Sequence, residues 1–206
     1  MNNRIYTIGR EFGSGGKDIG TALADRLGIK CYDKELLKEA SKQSGFCAEI
    51  FENHDEKPTN SFLYSLVMDT YSFGGYTSAP FLDMPLNHKV FLAQFDTIKK
   101  IAEKESCVIV GRCADYALAD DPNCINIFIH ADLDHRVERI SKKMNLPANK
   151  AKDMIQKTDK QRASYYNYYT SKKWGDSRSY DLTLDSGRIG VEGCVELILA
   201  YQKHIG

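Results

Sequence analysis

Ile8-Gly9-Arg10-Glu11-Phe12-Gly13-Ser14-Gly15-Gly16-Lys17-Asp18-Ile19 is the stretch whose reading decides the fold. It joins a short β-branched run at residues 4–9 (RIYTIG) to a segment with apolar residues at Ile19, Ala22, Leu23 and Leu27, which is helical spacing stopped by Gly28. A strand that passes through clustered glycines straight into a helix is suited to anions. Glycines let backbone N–H groups turn toward a ligand, the helix N-terminus adds its dipole, and a lysine adds a point charge. Four glycines in the eight residues 9–16, ending in Lys17, favour a phosphate cradle over the bland alternative of a tight turn that binds nothing. A dinucleotide fingerprint G-x-G-x-x-G would need a glycine at 18, where Asp18 stands. The fit to G-x-x-x-x-G-K-[ST] is partial, because Glu11 takes the first glycine position and Asp18 the final hydroxyl.

Working outward, Lys30–Tyr32 reads as a second strand and residues 34–44 as a helix with Leu36, Leu37 and Ala40 on one face. Periodicity then weakens over 46–86, which holds Pro58, Pro80, Pro85, the pair Gly74–Gly75 and many aromatics. Such a stretch is too apolar for a disordered tail and reads as an inserted cap. Regularity returns with a helix at 90–105, strands at Cys107–Val110 and 124–129, and a helix at 132–144. A polar, helix-prone stretch follows at 146–169, then a strand at 180–184 and a helix at 191–204. Strands alternating with helices, the strands nearly all apolar, predict an α/β fold with a parallel sheet covered on both faces.

The 206 residues suit one domain, with 42% hydrophobic and 27% charged residues. Lys plus Arg balances Asp plus Glu at 28 each, so no global field draws the chain to nucleic acid or to a membrane surface. No apolar run reaches the ~18 residues of a membrane span, nor does the N-terminus read as a signal peptide, so a cytoplasmic location is expected. The cysteines at 31, 47, 107, 113, 124 and 194 lie far apart without a C-x-x-C pair, which points to buried reduced thiols. Nothing in the chain addresses oligomeric state.

From residue 5 to 27 the sequence ITIGREFGSGGKDIGTALADRL resembles the opening of the cytidylate-kinase-like family, a branch of the P-loop nucleoside monophosphate kinases. Further matches follow in order: Tyr32-Asp33, VIVGRCADY at 108–116, the D-x-x-x-R-V-x-R-I pattern at 132–140, KTDKQR at 157–162, and YDLTLDS in the last strand. The resemblance implies a three-layer P-loop kinase with a core (1–45, 87–145 and 175–206), an acceptor-binding insert (46–86) and a mobile lid (146–174). It also implies ATP and Mg2+. Two departures stand out. Aligned without gaps to true cytidylate kinases, the lysine slot holds Gly16 and the hydroxyl slot Asp18, so Lys17 is displaced by one. Either the loop is one residue longer and Lys17 still reaches the β- and γ-phosphates, or backbone amides do most of the work. True cytidylate kinases also carry an Asp after the arginine at 112; here it is Cys113, with Asp115 two residues on.

Phosphoryl transfer asks mainly for positioning and positive charge, so arginines count most. Gly13, Ser14, Gly15, Gly16, Lys17 and Asp18 are expected to hold ATP. The resemblance gives Arg139 to the adenine and Lys143 to a phosphate; a solvated helix face is the plain reading of Lys143. Arg112 follows a buried strand and is expected on the acceptor phosphate, against a surface arginine at a helix start. Asp159 and Arg162 match a lid pattern, against a salt-bridged surface helix. Asp33 can hold the acceptor or, with Asp18, Mg2+, though helix capping explains it too. Lys17, Arg112, Asp159 and Arg162 form the expected catalytic set. Tyr165, Tyr166, Tyr168 and Tyr169 read as an aromatic seam under the lid. The expected activity is ATP-dependent transfer to a small phosphorylated acceptor, a nucleoside monophosphate such as CMP. A kinase of a non-nucleotide metabolite and a non-catalytic nucleotide sensor are the alternatives.

Overall fold

The computed structural model describes residues 3–33, 36, 38, 39, 42, 56 and 85–205. Five strands form one parallel sheet: β1 (Ile5–Arg10), β2 (Lys30–Tyr32), β3 (Cys107–Val110), β4 (Cys124–His130) and β5 (Leu182–Asp185), in the order β2-β3-β1-β4-β5. Between them run α1 (Gly16–Leu27), α2 (Leu86–Lys104), the short α3 (Ala114–Ala117), α4 (Leu133–Met144), α5 (Ala148–Thr170) and the closing α6 (Ser186–His204). β1 is central, with Ile8 beside Val110 on one side and Ile127 on the other. Chain order reverses around it, and such a switch point opens a crevice at the carboxyl ends of the strands.

Alternation along β1 divides the core. Tyr6 and Ile8 face α1 and α6, where Ile19, Leu23, Val195 and Ile198 bury them. Ile5 faces the other way, toward Leu36, Ile98 and Ile101. The apolar run of β3 is buried on both faces, as a central parallel strand requires. α1 is stopped by Gly28, whose left-handed backbone lets its N–H reach the carbonyls of Ala24 and Asp25.

Tyr165, Tyr166 and Tyr169 are buried with Phe91 and Cys113. Phe91 stacks on Tyr169 at 4.0 Å, and the Tyr165 hydroxyl donates to Gln94. The aromatic seam read from the sequence is therefore present, and it ties the C-terminal half of α5 to α2.

Several boundaries differ from expectation, among them that of α2, which begins at Leu86 and not at 90. β5 starts at Leu182 because a 3-10 turn, Ser177–Ser179, occupies the residues before it, and Asp181 turns to Asn126, its N–H donating to the Asn126 carbonyl and its carboxylate accepting from the Asn126 N–H. α6 starts early at Ser186, capped by Asp185 on the Gly187 N–H, and is broken at Gly190 (φ 70°, ψ −177°). The helix expected at 34–44 is represented by helical Leu36, Lys38, Glu39 and Lys42. The insert at 46–86 lies outside the described residues except for Glu56, Pro85 and Leu86. Cys107, Cys113 and Cys194 are buried free thiols, and burial pushes Cys107 up to about 12 and Cys194 up to about 11.

Candidate active site

The glycine loop turns from β1 into α1 with Gly13 and Gly15 in left-handed conformations (φ 83° and 81°). Gly15 is the helix N-cap and no side chain caps the end. A helix N-terminus without a side-chain cap is the arrangement that receives anions. A side chain at 15 would be strained by the left-handed backbone and would have to displace the Arg139 guanidinium laid across the loop, 1.9 Å from a Cβ there. The Ser14 hydroxyl is turned inward and donates to the Glu11 carbonyl.

The first half of the loop is held by Asp159 together with Arg136 and Glu11, two residues to which the sequence assigned no role. Asp159 accepts from the Phe12 N–H at 2.7 Å and pairs with Arg136. Arg136 also faces Glu11 at 3.5 Å, and Glu11 accepts from the Ala131 N–H. Burial pushes the Glu11 carboxyl up from its ordinary value. Asp159, expected at a lid tip, is thus a clamp on the loop in this arrangement.

Behind the loop, three arginines meet one carboxylate. Glu56 accepts from Arg10 at 2.6 Å, from Arg162 Nε at 3.2 Å and from the backbone N–H of Arg112 at 3.3 Å. Burial opposes its charge, but Arg10, Arg162 and Arg112 outweigh that and hold the carboxyl far below the usual range. Gly111, Arg112 and Cys113 are all left-handed (φ 79°, 55° and 55°). Such conformations cost about 1–3 kcal/mol for a non-glycine residue and cluster at functional sites. Here they aim the Arg112 N–H at an anion.

Arg112 is buried (3% exposed), so it is no surface helix start. Its guanidinium donates to the Val110 carbonyl and to Asp33. Asp33 also pairs with Lys17 at 2.8 Å. Burial works against the Asp33 charge, yet Lys17 and Arg112 more than offset it and keep the carboxyl below its ordinary value. Arg162 reaches back to the Arg10 carbonyl and lies over the Phe12 ring at 5.6 Å.

Beside the loop, a groove of about 370 Å³ opens between Gly13, Arg139, Gly187 and Gly190. Arg139 and Lys143 both face Asp18, at 3.7 and 3.5 Å. The fold therefore gathers the expected residues into two neighbouring groups: Gly13–Asp18 with Arg139 and Lys143, and Asp33 with Arg112 and Arg162. Arg10, Glu11 and Arg136 lay within motifs already quoted, and a charged pair inside a glycine loop was the signal. Glu56 sits in an aperiodic stretch and gave none.

The model of the cytidylate kinase-like family matches residues 5–188. The chain belongs to the cytidylate kinase-like family. Membership places it among kinase-type phosphotransferases built on a nucleotide-binding P-loop. A curated relative, a cytidylate kinase of Methanopyrus kandleri, is 23% identical over 193 residues, covering 89% of this chain and 85% of its own. Among solved structures, an uncharacterized protein from Eubacterium ventriosum is 33% identical with a TM-score of 0.73, covering 98% of this chain and 99% of its own. A shikimate kinase from Bacteroides thetaiotaomicron shares the fold at 13% identity and a TM-score of 0.56, over 97% of this chain and 98% of its own. No helix among the described residues is long and apolar enough to cross a membrane.

Proposed function

We propose that this member of the cytidylate kinase-like family transfers the γ-phosphoryl group of ATP to a small phosphorylated acceptor, a nucleoside monophosphate such as CMP. The observation that carries the reading is the buried carboxylate of Glu56 gripped by Arg10, Arg162 and the Arg112 N–H, next to an uncapped helix N-terminus. Two adjacent anion-accepting centres are what transfer between two phosphates requires. ATP takes the loop formed by Gly13, Ser14, Gly15, Gly16, Lys17 and Asp18. Its base enters the groove beside Arg139, with Lys143 nearby.

The acceptor phosphate is received by Arg112, which Val110 and Asp33 hold in place beforehand, and the 46–86 insert that supplies Glu56 recognises the rest of it. Arg162 faces the phosphoryl group in flight, and Asp159 keeps the loop in register. The phosphorus leaves the bridging oxygen of ADP and bonds to an oxygen of the acceptor phosphate, so a dianionic acceptor needs no base. The closing movement assigned to 146–174 belongs to the part of α5 before the aromatic seam. Asp33, ionised and paired with Lys17, and Asp18 offer the hard oxygen donors that Mg2+ prefers. Mg2+ held there would offset the phosphate charge.

A coupled ADP-release assay across the nucleoside monophosphates and several phosphorylated metabolites tests the reading. A nucleoside monophosphate, CMP among the best, should support turnover well above ATP hydrolysis alone. No acceptor-dependent ADP release from protein that binds ATP would leave a nucleotide sensor instead. Lys17→Ala should weaken ATP by about 1–3 kcal/mol, the usual loss of a charged hydrogen-bond partner. Calorimetry showing unchanged affinity would remove Lys17 from the cradle.

A further inference from the structure

In the register that puts Gly16 in the lysine slot of G-x-x-x-x-G-K, the second glycine slot falls on Gly15 and the first on Arg10. The loop therefore has glycine where a cation is wanted and a cation where glycine is usual. The structure shows that the two departures fit each other. A Cβ built on Gly16 would lie 2.5 Å from the Cβ of Arg10 and 3.1 Å from its Cγ. The Arg10 stem fills the space into which a side chain at 16 would project. We propose that Arg10 is the loop's phosphate-gripping cation, placed at the end of β1 in exchange for the lysine that position 16 has lost. This rests on the kinase reading above and adds a residue to its machinery.

Three observations support the exchange. The Arg10 side chain is 11% exposed, whereas that of Lys17 is 57% exposed and spent on Asp33. A buried guanidinium in low dielectric exerts more force on a phosphate than a solvated ammonium. Its two terminal nitrogens approach the two oxygens of Glu56 at 2.6 and 3.4 Å, the fork that also suits a phosphate. Third, Gly111 leaves room for it: a Cβ there would sit 2.0 Å from Arg10 Nη1 and 2.5 Å from Glu56 Oε1. The guanidinium thus stands between the loop after β1 and the loop after β3, beside Arg112 and Arg162, where a transferring group passes. The Glu56 carboxylate marks the anion position, and a substrate phosphate takes its place.

A purely structural Arg10–Glu56 ion pair is the competing account, and the reciprocal exchange separates the two. Arg10→Gly, Gly16→Lys and the double variant are compared for kcat, for ATP affinity and for cooperative thermal unfolding. Arg10→Gly should lower kcat by about 10²-fold or more, the usual loss of one charge-stabilising group. Gly16→Lys alone should misfold or be inactive, because the new Cβ meets the Arg10 stem. The double variant opens that space, returns the cation to the lysine slot, and should recover at least about tenfold over Arg10→Gly; non-additivity of this kind marks coupled positions. A double variant that folds but is no more active than Arg10→Gly overturns the exchange.

Should the glycine variants fail to fold, Arg10→Lys and Arg10→Met decide. The first should stay within about tenfold of wild type and the second fall at least about 10²-fold; equal activities overturn the proposal. Calorimetry with inorganic triphosphate and with AMP reads the role without any acceptor. Arg10→Met should weaken triphosphate about tenfold or more, as loss of a charged contact does, and leave AMP unchanged. Equal triphosphate affinity in Arg10→Met and wild type sinks Arg10 alone. A wild-type protein that binds no ATP sinks the kinase reading and this inference with it.

Discussion

Arg162→Ala should cut kcat by about 10²-fold or more while leaving acceptor KM nearly unchanged, in line with loss of one group that meets developing charge. Arg162 comes from α5 and contacts the Arg10 carbonyl and Glu56, so its position depends on how α5 sits over the loop. A contact completed when α5 closes favours the transferring phosphoryl group over the bound substrates, and its loss falls on kcat. Burial, and then the neighbouring Arg10, pull its guanidinium down to about 10, which leaves it a cation at neutral pH. Arg112 differs in kind. It is held by Val110 and Asp33 before any ligand arrives. Arg112→Ala should therefore raise acceptor KM by about tenfold or more at similar kcat, the signature of a contact made equally in ground and transition states. Steady-state kinetics with both substrates varied separates the two patterns. Unaltered kcat in Arg162→Ala would remove Arg162 from the chemistry.

The parallel sheet was legible because its signals are local. CVIV at 107–110 reads as a strand buried on both faces, and the residues of α1 repeat at helical spacing between glycines that start and stop it. The start of β5 was blurred because Tyr180 and Asp181 look like strand residues. They serve instead as a packing partner for Phe128 and a cap for Asn126. The loop was legible as an anion cradle, since glycine clusters and a helix start are neighbours in sequence. What escaped was which charges meet. Asp159 reads as a lid carboxylate by its motif, but a 147-residue separation in the chain hides its bond to Phe12. Gly16 read as a departure, and Arg10 was given no role, yet the Cβ position of one is the side-chain space of the other. Long-range charge pairing leaves no periodicity, and periodicity is what a single sequence displays.

Glu56 yields the largest expected effect on stability. Glu56→Gln keeps the shape of the side chain and removes the charge that Arg10, Arg112 and Arg162 share. Removing one partner from a buried charge cluster costs about 3–5 kcal/mol. The side chains of Arg10, Glu56 and Arg162 are 11%, 12% and 15% exposed, so solvent screening favours the lower end. At about 2–4 °C per kcal/mol for a domain of this size, Tm should fall by roughly 6–12 °C at pH 7. The pH dependence follows from the lowered carboxyl. A group whose folded pKa lies below its unfolded value stabilises fully above the unfolded value, and that stabilisation fades as pH falls toward the folded one. The deficit of Glu56→Gln should thus be constant from pH 6 to 9 and begin to shrink only below about pH 4. Added phosphate should narrow it, because a ligand that binds only the folded state stabilises by mass action and the vacated arginines now lack their internal anion. Millimolar phosphate should raise the Tm of the variant by several degrees more than that of wild type, and differential scanning calorimetry reads both shifts. A variant as stable as wild type, with the same response to phosphate, would mean that the arginines hold no shared anion site at all.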